Sequence, residues 1–213
     1  MKAFFRRLAG MMDDLVFPRR VWCMTCEERS CGELLCPACR DRLEQLRLRD
    51  QTGNVRSAYR YQDEVRELVH AFKFDSVDDA AQIFVSAMAE EAREMDLPPD
   101  TVVTWVTMPE RRRRARGMDH GRMLAEQLAA ELGLPSRQLL VRRSRALPQH
   151  TLNAVQRRTN LTGVFGAAGC VEHPVLIVDD VYTTGATMQV CSDVLRNAGA
   201  PQVYGLTATM VRR

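Results

Sequence analysis

The segment 175–188 constrains the fold of this chain most, because it combines the patterns of a strand, an acidic pair and a helix start. Residues 175–178 are valine, leucine or isoleucine throughout, as in a strand that is buried on both faces. Residues 184–197 predict a helix that ends before Gly199. A buried strand followed at once by a helix is the repeating unit of parallel α/β sheets, so this segment predicts an α/β domain.

The rest of the chain continues this alternation of strands and helices. A charged helix and a connection are predicted at 41–60, and two helices separated near Asp75 at 63–96. A further helix is predicted at 119–133, and strands at 55–61, 101–107, 139–141 and 203–210. Residues 142–163 show no clear period and predict a long loop, which is uncommon in a compact domain unless it is functional.

A phosphate cradle is predicted where strand 175–178 meets its helix. Unpaired backbone N–H groups and the helix dipole suit an anion at such a turn, and Gly185 lets the backbone approach it closely. Two acids at the strand end can accept hydrogen bonds from vicinal sugar hydroxyls, so the segment suits a ribose 5-phosphate. A capped turn with solvated acids is the alternative. The predicted binding residues are Asp179, Asp180, Thr183, Thr184, Gly185, Ala186 and Thr187.

Hydropathy predicts a cytoplasmic protein without a membrane span. No stretch reaches the ~18 apolar residues that cross a bilayer, and charged residues interrupt residues 1–20, which predict a short amphipathic helix and no signal peptide. Cytoplasmic thiols stay reduced, so closely spaced cysteines there are more often metal ligands than disulfides.

Two Cys-x-x-Cys pairs predict a structural zinc site. Nine residues separate the pairs, and two tight turns facing each other can supply four thiolates in a tetrahedron. Such a closed shell leaves no position for a substrate, and Cys31 lies between the pairs as a spare thiol. A redox pair or incidental thiols are the alternative. The predicted ligands are Cys23, Cys26, Cys36 and Cys39.

Arginines are concentrated at 111–116 and 137–158, although the net charge of the chain is only +3. The planar guanidinium group binds phosphate oxygens in pairs, which suits pyrophosphate or a nucleic-acid backbone. A solvated charged run is the alternative for 111–116. Lys73, between two phenylalanines, is equally compatible with a site cation and with a surface lysine whose stem lies on apolar neighbours.

The segment 175–188 resembles the phosphoribosyl pyrophosphate motif of type I phosphoribosyltransferases, which consists of four apolar residues, two acids, two variable positions, Thr-Gly and Thr. From about residue 20 to its end, the chain resembles the competence protein F (ComF) family, whose members are amidophosphoribosyltransferase-like. The stretches that carry this resemblance are the cysteine pairs, Phe72-Lys73-Phe74, Met108-Pro109, 111–117, Pro148-Gln149, Leu152, Arg157, Asn160-Leu161, Phe165 and 175–188.

The resemblance implies a type I phosphoribosyltransferase-like parallel sheet flanked by helices, with a small N-terminal zinc-ribbon-like module. Residues 1–52 would form the module and 53–213 the main domain. The resemblance further implies that Asp179 and Asp180 are catalytic and hold the ribose hydroxyls, that the loop after strand 101–107 faces pyrophosphate and Mg²⁺, and that 142–163 is a lid. The arginines on the pyrophosphate side would be Arg111, Arg112, Arg113, Arg114 and Arg116.

Two departures from the family pattern lie near this pyrophosphate side. The chain has Gly117-Met118-Asp119-His120 where relatives have Gly-Phe-Asn-Gln, and Asp75-Ser76 where a glycine is common. These changes bear on catalysis more than on binding, because the residues of the ribose phosphate cradle are intact.

Three functions are therefore open. The first is a transferase that releases pyrophosphate to an acceptor that the sequence does not specify. The second is a phosphoribosyl pyrophosphate-binding accessory of DNA uptake, with a competence helicase and single-stranded DNA as candidate partners. The third is a regulator that binds phosphoribosyl pyrophosphate alone. Aromatic side chains for stacking on bases are few, and Trp22, Tyr59 and Tyr61 are the candidates.

Overall fold

The fold was analysed in a computed structural model that describes residues 22–30, 32–74, 77–143 and 163–211, without the side chains of Val77, Ala115 and Arg116. The predicted N-terminal helix, Cys31 and most of the predicted lid lie outside these residues. The helices are α1 (Pro37–Gln45), α2 (Asp63–Phe74), α3 (Val77–Arg93), α4 (Glu110–Arg116), α5 (His120–Leu132) and α6 (Ala186–Asn197). The strands are β1 (Val55–Arg60), β2 (Val102–Trp105), β3 (Leu140–Arg142), β4 (Phe165–Ala167), β5 (Val175–Tyr182) and β6 (Val203–Met210).

Four strands form a parallel sheet in the order β1-β6-β5-β2. Strand β5 lies in the middle and pairs with β2 through Val102 and Val175 and with β6 through Val175 and Val203. Its first four residues are fully buried. The continuous apolar run that predicted a central strand is therefore explained by helices on both faces.

The two faces of β5 belong to two different hydrophobic clusters. Leu176 and Val178 pack in the cluster that contains residues of α2, α3 and α5, whereas Val175 and Ile177 pack with residues of α6. This alternation is the period of two that a strand imposes on its side chains. It decides which way the acidic residues that follow Val178 can point.

The cysteine module shares the larger cluster with the sheet. Cys23, Cys36 and Cys39 belong to the same buried set as Phe84 and Leu124. A single hydrophobic cluster thus continues from the module into the helices of the sheet. The division at residue 52 stays a prediction.

The connection between α1 and β1 is anchored by a buried arginine. The side chain of Arg47 is only 4% exposed, and its guanidinium lies 3.0 Å from Glu90 and 3.6 Å from Glu91 of α3. It also donates to the carbonyl oxygen of Ala87 at 3.2 Å. Because a buried charge needs partners, this connection is held against α3 in one arrangement.

Most predicted elements are present, with boundaries shifted by tertiary contacts. Strand β5 continues to Tyr182 because it pairs with β6 as far as Met210, and its helix begins at Ala186 rather than at residue 184. The segment that the resemblance implies to be a pyrophosphate loop is mainly the short helix α4. Pro109 can precede a first helical turn, and i to i+3 and i to i+4 ion pairs support it, so the prediction of a loop was wrong.

A small antiparallel pair, β3 and β4, lies outside the main sheet, with Arg142 opposite Phe165. Strand β3 was predicted. Strand β4 was missed, because three residues that include Gly166 give too short a pattern to recognise. The pair fixes both ends of the segment that was predicted to be a lid.

Candidate functional site

The candidate site lies at the carboxyl edge of the sheet, where β2 and β5 end side by side. Trp105 is opposite Val178, and the backbone N–H of Val106 donates to the carbonyl oxygen of Val178 at 3.1 Å. The acids that follow Val178 and the arginine helix that follows β2 are therefore at the same edge. In open parallel sheets, this edge is where ligands bind.

The two acids lie on opposite faces of β5. Asp179 follows the alternation of Val175 and Ile177 and lines a cavity beside α6, whereas Asp180 meets Lys73 of α2 at 2.9 Å. The backbone N–H of Asp180 donates to Oδ1 of Asp179 at 3.0 Å. The sequence prediction treated the acids as one unit, but strand geometry gives them different neighbours.

Asp179 is in an environment that disfavours its charge. Burial raises the pKa of its carboxyl well above the usual range, and the neighbouring charge of Asp180 raises it further. The hydrogen bond from the backbone of Asp180 acts in the opposite direction, as does the charge of Lys73. A ligand that hydrogen-bonds to Asp179 would therefore meet a carboxyl group that is readily protonated.

The turn between β5 and α6 has the backbone of an anion cradle. Gly185 is the N-cap of α6 with a left-handed φ of 74°, and the Ala186 N–H donates to Oγ1 of Thr184 at 3.5 Å. The ring and hydroxyl of Tyr182 lie where a Cβ on residue 185 would be. The left-handed backbone angle favours glycine here, and a Cβ would also require the end of the Tyr182 side chain to shift.

A cavity of about 20 Å³ brings part of the predicted cradle together. Of the predicted residues, Asp179, Thr183, Gly185 and Thr187 line it. Val181, Tyr182, Met188 and Thr207 line it as well, and no sequence pattern singled these residues out. The space holds about one water molecule, so a phosphate there requires Tyr182 to move.

One acid of the arginine helix α4 pairs with two of its arginines. Glu110 forms ion pairs with Arg113 at 2.7 Å and with Arg114 at 3.1 Å, and all three side chains are exposed. The hydrogen bond from Arg113 lowers the pKa of the Glu110 carboxyl, and Arg114 adds to this effect. Arg111 and Arg112 are also exposed. Two of the predicted pyrophosphate ligands thus have an acidic partner already.

A groove of about 720 Å³ lies beside α4 and contains two arginines that the sequence prediction missed. The guanidinium of Arg122 lies over Trp105, 5.9 Å from the ring centroid, and pairs with Glu126 at 2.8 Å. The guanidinium of Arg142 lies 5.2 Å from the ring centroid of Phe165. Burial lowers the pKa of Arg142, and the charge of Arg112 contributes. The sequence alone could not identify Arg142 as a groove residue, because its place depends on the antiparallel pairing of β3 with β4.

Three charged residues of α4, Glu110, Arg113 and Arg114, also line the groove. Its walls come from β2, α4, α5 and the approach to β3. The lining residues are Trp105, Thr107, Met108, Glu110, Arg113, Arg114, Gly117, Met118, Asp119, Arg122, Gln138, Val141 and Arg142. Arg111 and Arg112 do not line it.

The four predicted zinc ligands come together as a group. Their sulfur atoms all lie within 4.8 Å of one another, and those of Cys26 and Cys36 are 3.7 Å apart. Four sulfurs around tetrahedral zinc would be roughly 3.8 Å apart, since the Zn–S distance is about 2.3 Å. The cluster therefore has the composition and spacing of a tetrahedral metal site.

Neighbouring donors adjust the charge of these thiols. Burial acts to raise the pKa of Cys23, but hydrogen bonds from the side chain and backbone of Thr25 lower it to about 6. Burial raises the pKa of Cys39 to about 12. Arg42, one helical turn after Cys39, donates to its sulfur at 2.9 Å and also pairs with Glu64 of α2. This spacing of three residues on a helix could have been found in the sequence.

The aromatic candidates for contacts with bases are placed differently from expectation. Tyr59 is buried beneath Arg47, so its prediction as a surface residue was wrong. Tyr61 is partly buried, and Trp22 is 57% exposed. Phe74, which the sequence analysis did not consider for stacking, is 60% exposed.

Among the helices that the structure describes, none has the length and apolar character needed to cross a membrane.

Comparison with known proteins identifies relatives in several bacteria. No family model matches the chain. Competence protein F of Haemophilus influenzae is 32% identical over 65% of this chain, and the DNA utilization protein YhgH of Salmonella typhi is 35% identical over 67%. The match spans 66% of each of these relatives, slightly less than two thirds of their length. YhgH of Escherichia coli K12 is 31% identical over 70% of both chains.

Among solved structures, similarity to this chain is low. The allosteric regulatory enzyme of purine biosynthesis has a TM-score of 0.43 at 20% identity and covers 64% of this chain and 29% of its own. Orotate phosphoribosyltransferase from Aeropyrum pernix has a TM-score of 0.40 at 21% identity and covers 78% of each chain. The sequence relatives, together with the parallel sheet and the cysteine cluster, show that the chain belongs to the family of competence protein F and YhgH.

Proposed function

We propose that this chain binds phosphoribosyl pyrophosphate at the carboxyl edge of the sheet. The observation that carries the proposal is the cavity at the β5–α6 turn, which Asp179, Thr183, Gly185 and Thr187 line together. A carboxyl group can accept from a ribose hydroxyl, and the two threonine hydroxyls can donate to a 5-phosphate. The start of α6 adds backbone donors for the same phosphate.

The pyrophosphate of the ligand would then lie toward α4 and its groove. Arg113, Arg114 and Arg142 line that groove, and paired guanidinium donors suit pyrophosphate oxygens. Glu110 would have to give up its two arginine partners to the ligand. When bound with the ligand, Mg²⁺ would neutralise part of the pyrophosphate charge. The remaining arginines of 111–116 are proposed to add a general positive field.

Calorimetric titration with phosphoribosyl pyrophosphate and Mg²⁺ tests this proposal. The variants are Asp179→Asn and Asp180→Asn, singly and together, with exposed Asp193→Asn of α6 as the matched control. A hydrogen bond from a sugar hydroxyl contributes roughly 1.5–3 kcal/mol when its acceptor is charged and about 0.5–1.5 kcal/mol when it is neutral, so loss of both acids should weaken binding more than tenfold. The control should bind like the unchanged protein.

Clear binding by the unchanged protein and the control, lost in the double variant, supports the site. Equal affinity in all variants would place the ligand elsewhere. Failure of the unchanged protein to bind would remove the proposal altogether.

A catalytic role as a phosphoribosyltransferase is the second candidate. The groove of about 720 Å³ favours it, because it adjoins the strand edge and falls within the range of small-molecule pockets. Asp179 and Asp180 would then orient the ribose during attack of an acceptor on its anomeric carbon, and pyrophosphate would leave. Pyrophosphate release on addition of ammonia or a nucleobase is the test, with the Asp179→Asn/Asp180→Asn variant as the negative control.

The cysteine cluster is proposed to hold structural zinc. The mutual spacing of its four sulfurs and the Arg42 contact to Cys39 support four thiolates and a bound dication. Elemental analysis should find one zinc per chain, reduced in Cys26→Ser but retained in Cys170→Ser, which alters an exposed cysteine outside the cluster. A chelator should lower the melting temperature of the unchanged protein, because the free energy of zinc binding to small modules, about 10–16 kcal/mol, contributes to folding.

The names of the relatives support a role in the use of incoming DNA. We therefore assign the chain to competence-related DNA uptake or processing in the cytoplasm, with a helicase and single-stranded DNA as proposed partners. The exposed arginines of α4 and the exposed Trp22 and Phe74 offer charge and aromatic surface. Anisotropy of a labelled oligonucleotide, with and without phosphoribosyl pyrophosphate, tests direct contact. Unchanged anisotropy would leave protein contact as the remaining route.

A further inference from the structure

The side chain of Lys73 faces the acidic edge of the sheet. Lys73 is the second-last residue of α2, between the fully buried Phe72 and the exposed Phe74. Its side chain is only 20% exposed, and Nζ lies 2.9 Å from Oδ2 of Asp180. The alternative of a surface lysine with its ammonium in water does not describe this arrangement.

The orientation of Lys73 is fixed by its neighbours on α2. The ring of Phe72 packs edge-to-face against Phe84 at 5.8 Å and against His120 at 5.0 Å, measured between ring centroids. At the other end of the helix, Glu64 pairs with Arg42 of the cysteine module. With both ends held, α2 cannot rotate freely, and the residue after Phe72 is directed at β5.

Asp180 needs such a partner because of its place in the strand. The alternation along β5 sends it to the face of α2, away from the cavity that Asp179 lines. It is next to a second carboxyl group and only 25% exposed. A partly buried carboxylate beside another acid is unfavourable without an opposing charge. The Lys73 ammonium supplies that charge.

We propose that Lys73 is a positioning residue, which holds Asp180 as an oriented carboxylate so that Asp180 can accept from a ribose hydroxyl. This inference rests on the proposed function and assigns different roles to the two acids. Asp179 belongs to the cradle beside α6. Asp180 belongs to an ion pair that α2 brings to the strand end.

Binding of two ligands separates positioning from direct contact. Lys73→Met, Lys73→Arg and the control Arg66→Met would be titrated with phosphoribosyl pyrophosphate plus Mg²⁺ and with ribose 5-phosphate. Arg66 is an exposed cation of the same helix whose guanidinium lies over Tyr61. Lys73→Met should weaken both ligands by the same factor, about tenfold, because both carry the ribose hydroxyls. Lys73→Arg should recover most of the affinity, and Arg66→Met should change neither.

Several results would overturn the assignment. A loss confined to phosphoribosyl pyrophosphate would mean that Lys73 contacts the pyrophosphate directly. Equal losses in Lys73→Met and Arg66→Met would reduce its effect to general charge, and unchanged affinity in Lys73→Met would reduce the ion pair to a surface contact.

A denaturation cycle without ligand keeps the two proposals separable. Lys73→Met should lower the unfolding midpoint in urea, and Lys73→Met/Asp180→Asn should restore it, because the second change removes the unpaired carboxylate. Simple additivity of the two changes would refute the ion-pair role even if ligands bind. Coupling in this cycle, with no binding of either ligand by the unchanged protein, would refute the proposed function and with it the role toward ribose.

Discussion

The acidic strand end and the arginine helix lie at the same edge of the sheet, but their charges are held in different ways. Asp179 is in the strand itself, where burial and Asp180 disfavour its ionised form. Arg113 and Arg114 of α4 are exposed and share Glu110 as a partner one helical turn away. Without a ligand, a negative charge on Asp179 is therefore unfavourable, whereas Arg113 and Arg114 already have an acidic partner.

This difference indicates how a ligand would act on each side. At the acidic side, hydrogen bonds from a ligand would relieve an unfavourable arrangement that the fold imposes. On the arginine side, a ligand would replace interactions that are already satisfied and exposed to water, which contribute little. Substitutions should therefore have larger effects at the β5–α6 turn than at α4.

The largest expected effect comes from adding a methyl group to the two turns. Gly185 and Gly117 have similar left-handed φ values, 74° and 76°, but only Gly185 has Tyr182 where the Cβ would lie. Gly117→Ala should lower the free energy of unfolding by about 1 kcal/mol, and Gly185→Ala by roughly 2–3 kcal/mol, since packing strain adds to backbone strain. Urea denaturation measures both. Equal losses would mean that Tyr182 moves aside freely, and the contrast between the turns would disappear.

A smaller effect, with opposite signs on the two sides, is expected from neutralising one acid on each. The raised pKa of Asp179 means that the folded state binds its proton more tightly than the unfolded state does. Its contribution to stability therefore falls as the pH rises from the pKa of the unfolded state to the higher pKa of the folded state. The lowered pKa of Glu110 gives a contribution that is present above the unfolded pKa and is lost on acidification through the folded one.

At neutral pH, Asp179→Asn should therefore raise the melting temperature and Glu110→Gln should lower it slightly. Melting curves between pH 4 and pH 8 check both signs, where every ~1 kcal/mol corresponds to roughly 2–4 °C. The difference between Asp179→Asn and the unchanged protein should shrink toward acid pH. A fall in melting temperature for Asp179→Asn at neutral pH would contradict the idea of a strained acid.

The smallest expected effect is on the binding of pyrophosphate near α4. Glu110→Gln removes the shared partner of Arg113 and Arg114 and should strengthen binding of inorganic pyrophosphate by about two- to threefold at low salt. The gain should vanish near 0.5 M salt, because exposed charges are then screened within about 4 Å. Isothermal titration at both salt concentrations is the measurement, and Glu131→Gln of α5 is the control, because its partner Arg93 does not line the groove. A tenfold gain would show that Glu110 restrains the site far more than an exposed pair can.

The parts of the fold that the sequence predicted are those with a strong local pattern. The strand 203–210, the two helices within 63–96 and the helix ended by Gly133 are local signals, and each is present among the described residues. The extension of β5 to Tyr182 and the pairing of β3 with β4 depend on partners distant in the sequence. A local sequence pattern does not determine which distant strand will pair with it.

In the candidate site, too, local features could be predicted from the sequence, whereas features that depend on tertiary packing could not. The proximity of the four cysteines followed from their spacing, and the glycine of the β5–α6 turn followed from the motif. The opposite directions of Asp179 and Asp180 required knowing that the strand continues through them. The contact of Lys73 with Asp180 could not be predicted without the packing of α2, since the two residues are 107 positions apart in the sequence.

The shared core of the cysteine module and the sheet has a consequence for how this family can change over time. Cys23, Cys36 and Cys39 are buried in the same cluster as Phe84, and Arg47 fixes the connection to α3. Deletion of the whole cysteine module by recombination would expose to water the apolar side chains of the main domain that pack against it. Lineages that lose the cysteines should therefore keep the segment and replace the sulfurs by apolar residues, instead of shortening the chain.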